Sequence, residues 1–222
     1  MLKTFFRNNG LTLCLLLFFF LSFAGQIITG LHQYNDNQSQ HGRPTVSYRE
    51  YLASGEFKEV TFENWESEFL QMAVYVLLTS LLFQRGSAES KDPDKEEEVD
   101  EDPRLSKRNP DVPVPVRRGG ILLRLYEHSL VLALFLLFFA SFGMHLLGST
   151  EETCREQTMH GQACPSILDQ LAGSKFWFES FQNWQSEFLS VAVLVVLSIF
   201  LRQRGSPESK QVHAPHGSTG KG

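Results

Sequence analysis

At 222 residues, 42% hydrophobic and 20% charged, the chain has the content of one or two soluble domains, yet its apolar residues gather into four blocks separated by strongly polar intervals. That gathering excludes a single soluble core. A net charge of −5 excludes a basic nucleic-acid binder, because no cationic surface is available to neutralise phosphates.

The first element is expected over residues 8–31. Between Arg7 and Asp36 there is no Lys, Arg or carboxylate, and the stretch is long enough as a helix to cross a hydrocarbon core of about 30 Å. Lys3, Arg7 and the small residues Ser22 and Ala24 also fit a secretory leader. The duplication described below argues for retention instead. Cys14 reads as an inert apolar residue of this span.

Beyond it, Ser47-Tyr-Arg-Glu50 has the spacing of a capping box, and Gly55 stands where the short helix would stop. A second helix is expected to start near Phe57 and to run into a span over 65–84. The apolar part between Glu68 and Arg85 covers only roughly 21–24 Å, less than the bilayer core. Arg85 is therefore expected to snorkel at one end, with Trp65 in an aromatic belt at the other. Asn64, Glu68, Gln71, Tyr75 and Thr79 recur at three or four residues and share one helix face.

Residues 92–118 combine an acidic run with Pro-rich sequence and read as a disordered cytoplasmic tether. The second half, 119–210, repeats the plan. A span is expected over 128–148, with His145 near its outer end. An outside loop follows, with a second capping box at Ser166 and Asp169, and then a span over 184–202 flanked by Trp177, Trp184 and Arg204. The tail 211–222 reads as disordered.

Setting residues 62–91 over 181–210 gives a constant offset of 119 and 19 identities in 30 positions. The same offset pairs His41-Gly42 with His160-Gly161, and Ser22-Phe23 with Ser141-Phe142. The first span is thus a copy of the third, which is internal and cannot be a cleaved leader. The expected fold class is an all-α integral membrane protein of four transmembrane helices in two parallel two-helix repeats, 1–91 and 119–210. Nine Lys and Arg lie from residue 84 to 124, against three in the first outside loop and two in the second. By the positive-inside rule the linker and both termini are expected to be cytoplasmic, in a cell (inner) membrane.

The residues that could carry chemistry are few. Glu68 and Glu187, with Asn64 and Asn183 on the same faces, are expected to meet across the pseudo-twofold. Two close carboxylates in a dry site raise one another's proton affinity, the physics of an ion or proton site. His145 lies near Glu187 in depth and would complete a relay, although packing is the simpler account of both. Cys154 and Cys164, ten apart in the outside loop, are expected to form a disulfide on a side that is oxidising in bacteria. A Cys/His metal site with His160 lacks a fourth ligand. No nucleophile elbow, zinc-binding His pair or paired Cys-x-x-Cys occurs, so no cofactor, metal or enzyme activity is expected.

The repeated Phe-x-Asn-Trp-x-Ser-Glu-Phe-Leu and Gln-Arg-Gly-Ser-x-Glu-Ser-Lys, with the outside His-Gly motif and Arg124-Leu-Tyr-Glu-His-Ser129, resemble an uncharacterised bacterial integral membrane family classed as a domain of unknown function. The resemblance covers almost the whole chain and implies membrane location without an established activity. The expected function is a non-enzymatic envelope or interaction protein, its partners being the lipid bilayer and a second copy or an envelope protein. The competing reading is a small ion or proton carrier using Glu68 and Glu187; a membrane-surface enzyme ranks third.

Overall fold

The computed structural model describes residues 2–220, which form helices and turns with no strand among them. The α-helices are α1 (Leu2–Gln40), α2 (Tyr48–Ala53), α3 (Gly55–Leu81), α4 (Val114–Arg118), α5 (Gly120–Glu127), α6 (Ser129–Met159), α7 (Ile167–Ala172) and α8 (Ser174–Phe200). Both capping boxes are formed. The Ser47 and Ser166 hydroxyls accept from the third backbone N–H of α2 and α7, and Glu50 and Asp169 accept from the cap N–H in return. These bonds favour the ionised acids and hold both carboxyls below their ordinary values. Stability from this source is complete above the ordinary carboxylate range and is lost as pH falls through the lowered values.

Among the described residues, α1, α6 and α8 are long and apolar enough to cross a membrane, compatible with a multi-pass membrane protein. That is three candidates rather than the expected four. α3 does not qualify, because Glu56, Glu59, Glu63, Glu66 and Glu68 occupy its first half and the helix ends at Leu81. The remaining apolar turns are too few.

α3 instead occupies the middle, packed against both α6 and α8. Its crossing with α6 is a backbone contact. A Cβ added at Gly55 would lie 2.8 Å from the Gly148 carbonyl oxygen and 2.7 Å from the Glu151 Cβ, and one added at Gly148 would run into the Glu59 backbone nitrogen. Small residues facing one another allow this approach. Within each half, aromatic rings fill a wider gap. Phe19 meets Trp65 at 6.1 Å and Phe138 meets Trp184 at 6.3 Å, contacts between residues related by the 119 offset. Trp177 meets Trp184 edge to face and donates its Nε1–H to the Leu171 carbonyl. The three tryptophans, expected as membrane-interface anchors, also pack as wedges between helices.

The linker and tail, expected to be disordered, carry local turns and pairings. The linker holds two 3-10 turns, Glu98–Asp100 and Pro103–Ser106, followed by α4, and its acids are matched locally: Lys91 with Asp100 at 2.6 Å and Arg85 with Asp94 at 2.8 Å. Composition alone does not reveal such pairings. The tail folds back as far as residue 220. The buried Lys210 ammonium donates to the carbonyls of Gly86, His216 and Ser218, while Arg204 stays exposed. Met1, Lys221 and Gly222 lie outside the described residues.

Gly148→Ala is expected to lower stability by about 1–3 kcal/mol, because the added methyl meets backbone that cannot step aside. Gly143→Ala, on the same helix with open space around it, is expected to be neutral or slightly stabilising. Thermal unfolding of the two variants in detergent checks the contrast.

Candidate functional site

The α3/α6 crossing fixes what surrounds His145, one turn before Gly148 on α6. Glu59, Glu63 and Glu66 recur at four and three residues along α3 and so share one face. That face meets α6 and the start of α8. His145 is fully buried, as are Glu66, Ser180 and Ser149. Its Nδ1 lies 3.1 Å from Glu66 Oε2, to which it donates, and Ser180 donates its hydroxyl to Glu66 Oε1 at 2.9 Å. Both oxygens of Glu66 are therefore engaged, and the imidazole orientation is set. Phe176 packs against the ring at 4.7 Å between centroids.

The other ring nitrogen has no such partner. Nε2 points between Glu179 Oε2 at 3.6 Å and Glu63 Oε2 at 3.9 Å, both beyond hydrogen-bond length. Asn183 lines the same cavity as Glu63, and Ser149, itself receiving the Gln170 amide at 2.8 Å, reaches Glu179. Lys175 lies 3.2 Å from Glu59 and 3.8 Å from Glu179. Four carboxylates thus face one lysine and one histidine. A cavity of about 400 Å³ opens beside them, lined among others by Glu56, Glu63, Glu152, Glu179 and Asn183. At its rim, burial and then the neighbouring Glu152 charge push Glu56 above its ordinary value, against the pull of Arg155 at 3.6 Å.

The expected site is placed differently. Glu68 and Asn64 are exposed, and Asn64 is turned back on the Val60 carbonyl of its own helix. Glu68 and Glu187 do lie close enough for their charges to interact, but His145 pairs with Glu66, Glu63 and Glu179 rather than with Glu187. Of the anticipated set, Glu68 lies near Glu187, and Asn183 lines the cavity beside the two carboxylates that His145 faces. The inner half of the α3 stripe fares better. Gln71 donates to the Glu187 carbonyl at 2.8 Å and to Ser190 Oγ at 3.1 Å, its own partner under the 119 offset, and Tyr75 donates to Glu89. Cys154 and Cys164 are joined in a disulfide. His41 sits in a turn, its ring against the Asn37 carbonyl, with Gly42 and Gly161 both at φ 68° as their sequence equivalence suggests.

The missed residues carried a sequence signal: Glu56, Glu59, Glu63 and Glu66 place acid on one face at the entry to an apolar helix. Their partners under the offset are Lys175, Phe178, Gln182 and Gln185, so they are no part of the repeated pattern. The same holds for His145 and Glu179, whose partners are Gln26 and Val60.

Glu66→Ala would leave a buried imidazole N–H and the Ser180 hydroxyl without acceptors. A loss of about 2–5 kcal/mol is expected in thermal unfolding, with Ser180→Ala costing less. A loss near zero would show that Glu66 does not hold the ring.

Searches among curated proteins and solved structures find no match. A family model does match, over residues 2–221, and by that match of nearly the whole chain the protein belongs to the DUF6766 family, a domain of unknown function.

Proposed function

We propose that the chain is a non-enzymatic, multi-pass cell-membrane protein whose working part is a cation-binding centre around His145, open to the non-cytoplasmic side. The observation that carries this reading is the buried Nε2, which faces two carboxylates and hydrogen-bonds to neither. A cluster serving only to hold helices together would satisfy that atom. Buried carboxylates crowded with too little positive charge favour whatever cation enters.

The distribution of Lys and Arg supports a cytoplasmic linker and cytoplasmic termini. In this arrangement α3 returns the chain across the bilayer between α6 and α8. Its 27 residues are long enough, and its acids other than the exposed Glu68 turn toward protein and the outer cavity. The cavity and His145 then lie at the outer end. Below them the seam between α3 and α8 keeps Gln71, Ser190 and Tyr75, then turns apolar on α8 through Val191 and Val195. This polar upper seam favours a second reading, the ion or proton carrier, with His145 and Glu63 in place of Glu68 and Glu187 as its site. A docking role for the outside loops or the acidic linker, with a second copy or an envelope protein as partner, is compatible with either.

A ligand centre and a packing cluster differ in the sign of one effect. At mildly alkaline pH without added metal, Glu63→Gln with Glu179→Gln is expected to raise thermal stability by about 0.5–2 kcal/mol, since repulsion in the empty site is relieved. A packing cluster predicts a loss. In proteoliposomes the same pair of substitutions abolishes proton or cation flux if the carrier reading holds.

A further inference from the structure

We infer that the centre around His145 takes one divalent first-row transition-metal ion, with His145 Nε2, Glu63 and Glu179 as its protein ligands. This rests on the cation-binding reading above and names its ligand. Three observations converge on it.

The first is geometric. The three ligand atoms lie within 4.8 Å of one another, with Nε2 at 3.6 Å and 3.9 Å from the two carboxylate oxygens. Ligands about 2.1 Å from a tetrahedral ion stand ~3.4 Å apart, so each carboxylate closes on Nε2 by a few tenths of an ångström, and the two carboxylate oxygens close on each other by at most ~1.4 Å. The second is the nitrogen itself, fully buried, without a hydrogen bond and aimed between two carboxylates. Donation of Nδ1–H to Glu66 fixes the ring so that an arriving metal ion displaces any proton held on Nε2 between the two carboxylates and takes its lone pair. Ser180 in turn fixes Glu66, giving the carboxylate–histidine support that orients such ligands. The third is the asymmetry of the duplication. The counterparts of His145, Glu63, Glu66 and Glu179 are Gln26, Gln182, Gln185 and Val60, so the second copy of each position lost or never had the ligand. One mixed site survives, drawing on both halves of the chain.

The donor set selects the class of ion. Calcium and magnesium favour oxygen-only shells, whereas imidazole with carboxylates suits manganese, iron, cobalt and zinc. Three protein ligands leave at least one coordination position, and the cavity beside Glu63 and Glu179 supplies water for it.

The test uses the untagged full-length protein in detergent, stripped with chelator and titrated with Co²⁺. One Co²⁺ per chain is expected, with visible d–d absorption that Zn²⁺ abolishes by displacement. X-ray absorption of that complex is expected to show one imidazole and otherwise oxygen ligands, a reading that needs no variant. Glu63→Gln with Glu179→Gln should eliminate the absorption, Glu66→Gln should weaken affinity about 10–100-fold as a positioning residue, and Glu68→Gln with Glu187→Gln should leave it unchanged. No Co²⁺ bound, sulfur in the shell, or binding that survives loss of both carboxylates overturns the assignment. If the wild type binds no metal while the neutralised pair is still stabilised, the metal inference alone falls and the proton is the cation. If the neutralised pair is destabilised as well, the reading beneath it falls too.

Discussion

The organisation of this protein depends on one close approach, the crossing of α3 and α6 at Gly55 and Gly148. Helix axes come this near only where no side chain intervenes. With backbone in contact, the preceding turn of α6 presses His145 into the acidic face of α3, and Phe176 of α8 closes over the imidazole. A larger residue at either glycine would widen the gap and release the histidine. Packing and electrostatics are therefore coupled: the same contact that orders the helices forces charged groups out of water, a cost repaid only when each is paired.

The duplication explains the shape of that coupling. Residues related by the 119 offset make matching contacts where only packing is required, as in the Phe–Trp wedges, the capping boxes and the positive-φ turns at Gly42 and Gly161. They diverge where polar groups are buried. Gly30 leaves room for the Tyr51 ring, and a Cβ there would strike its hydroxyl; the equivalent positions hold Ser149 and Gln170, joined by a hydrogen bond. One copy fills the space with an aromatic ring and the other with a polar pair. That exchange admitted polar side chains beside His145 without disturbing the helices.

Local features were legible in the sequence because local physics sets them. The apolar runs, the capping boxes, the disulfide and the inner stripe of Gln71 and Tyr75 all follow from spacing. The acidic site was not, for two reasons. A reading guided by the repeat gives weight to residues present in both copies, which favours Glu68 and Glu187 over Glu63 and Glu66. The contacts of His145 also reach residues 79 or more positions away on α3 and 31 or more on α8, and no periodicity along one helix shows which face meets which neighbour. α3 falls short of the apolar character expected of a fourth span for a related reason: its first half carries the acids that meet α6 and α8.

The central claim is that Glu66 of the first half and His145 of the second form one buried unit. A double-mutant cycle on Glu66→Gln and His145→Gln, read by reversible unfolding in detergent, tests it most directly. The account predicts a coupling energy on the order of 1–3 kcal/mol between the two positions. Additivity within about 0.5 kcal/mol would contradict it, and with it the placement of the carboxylate face of α3 against α6.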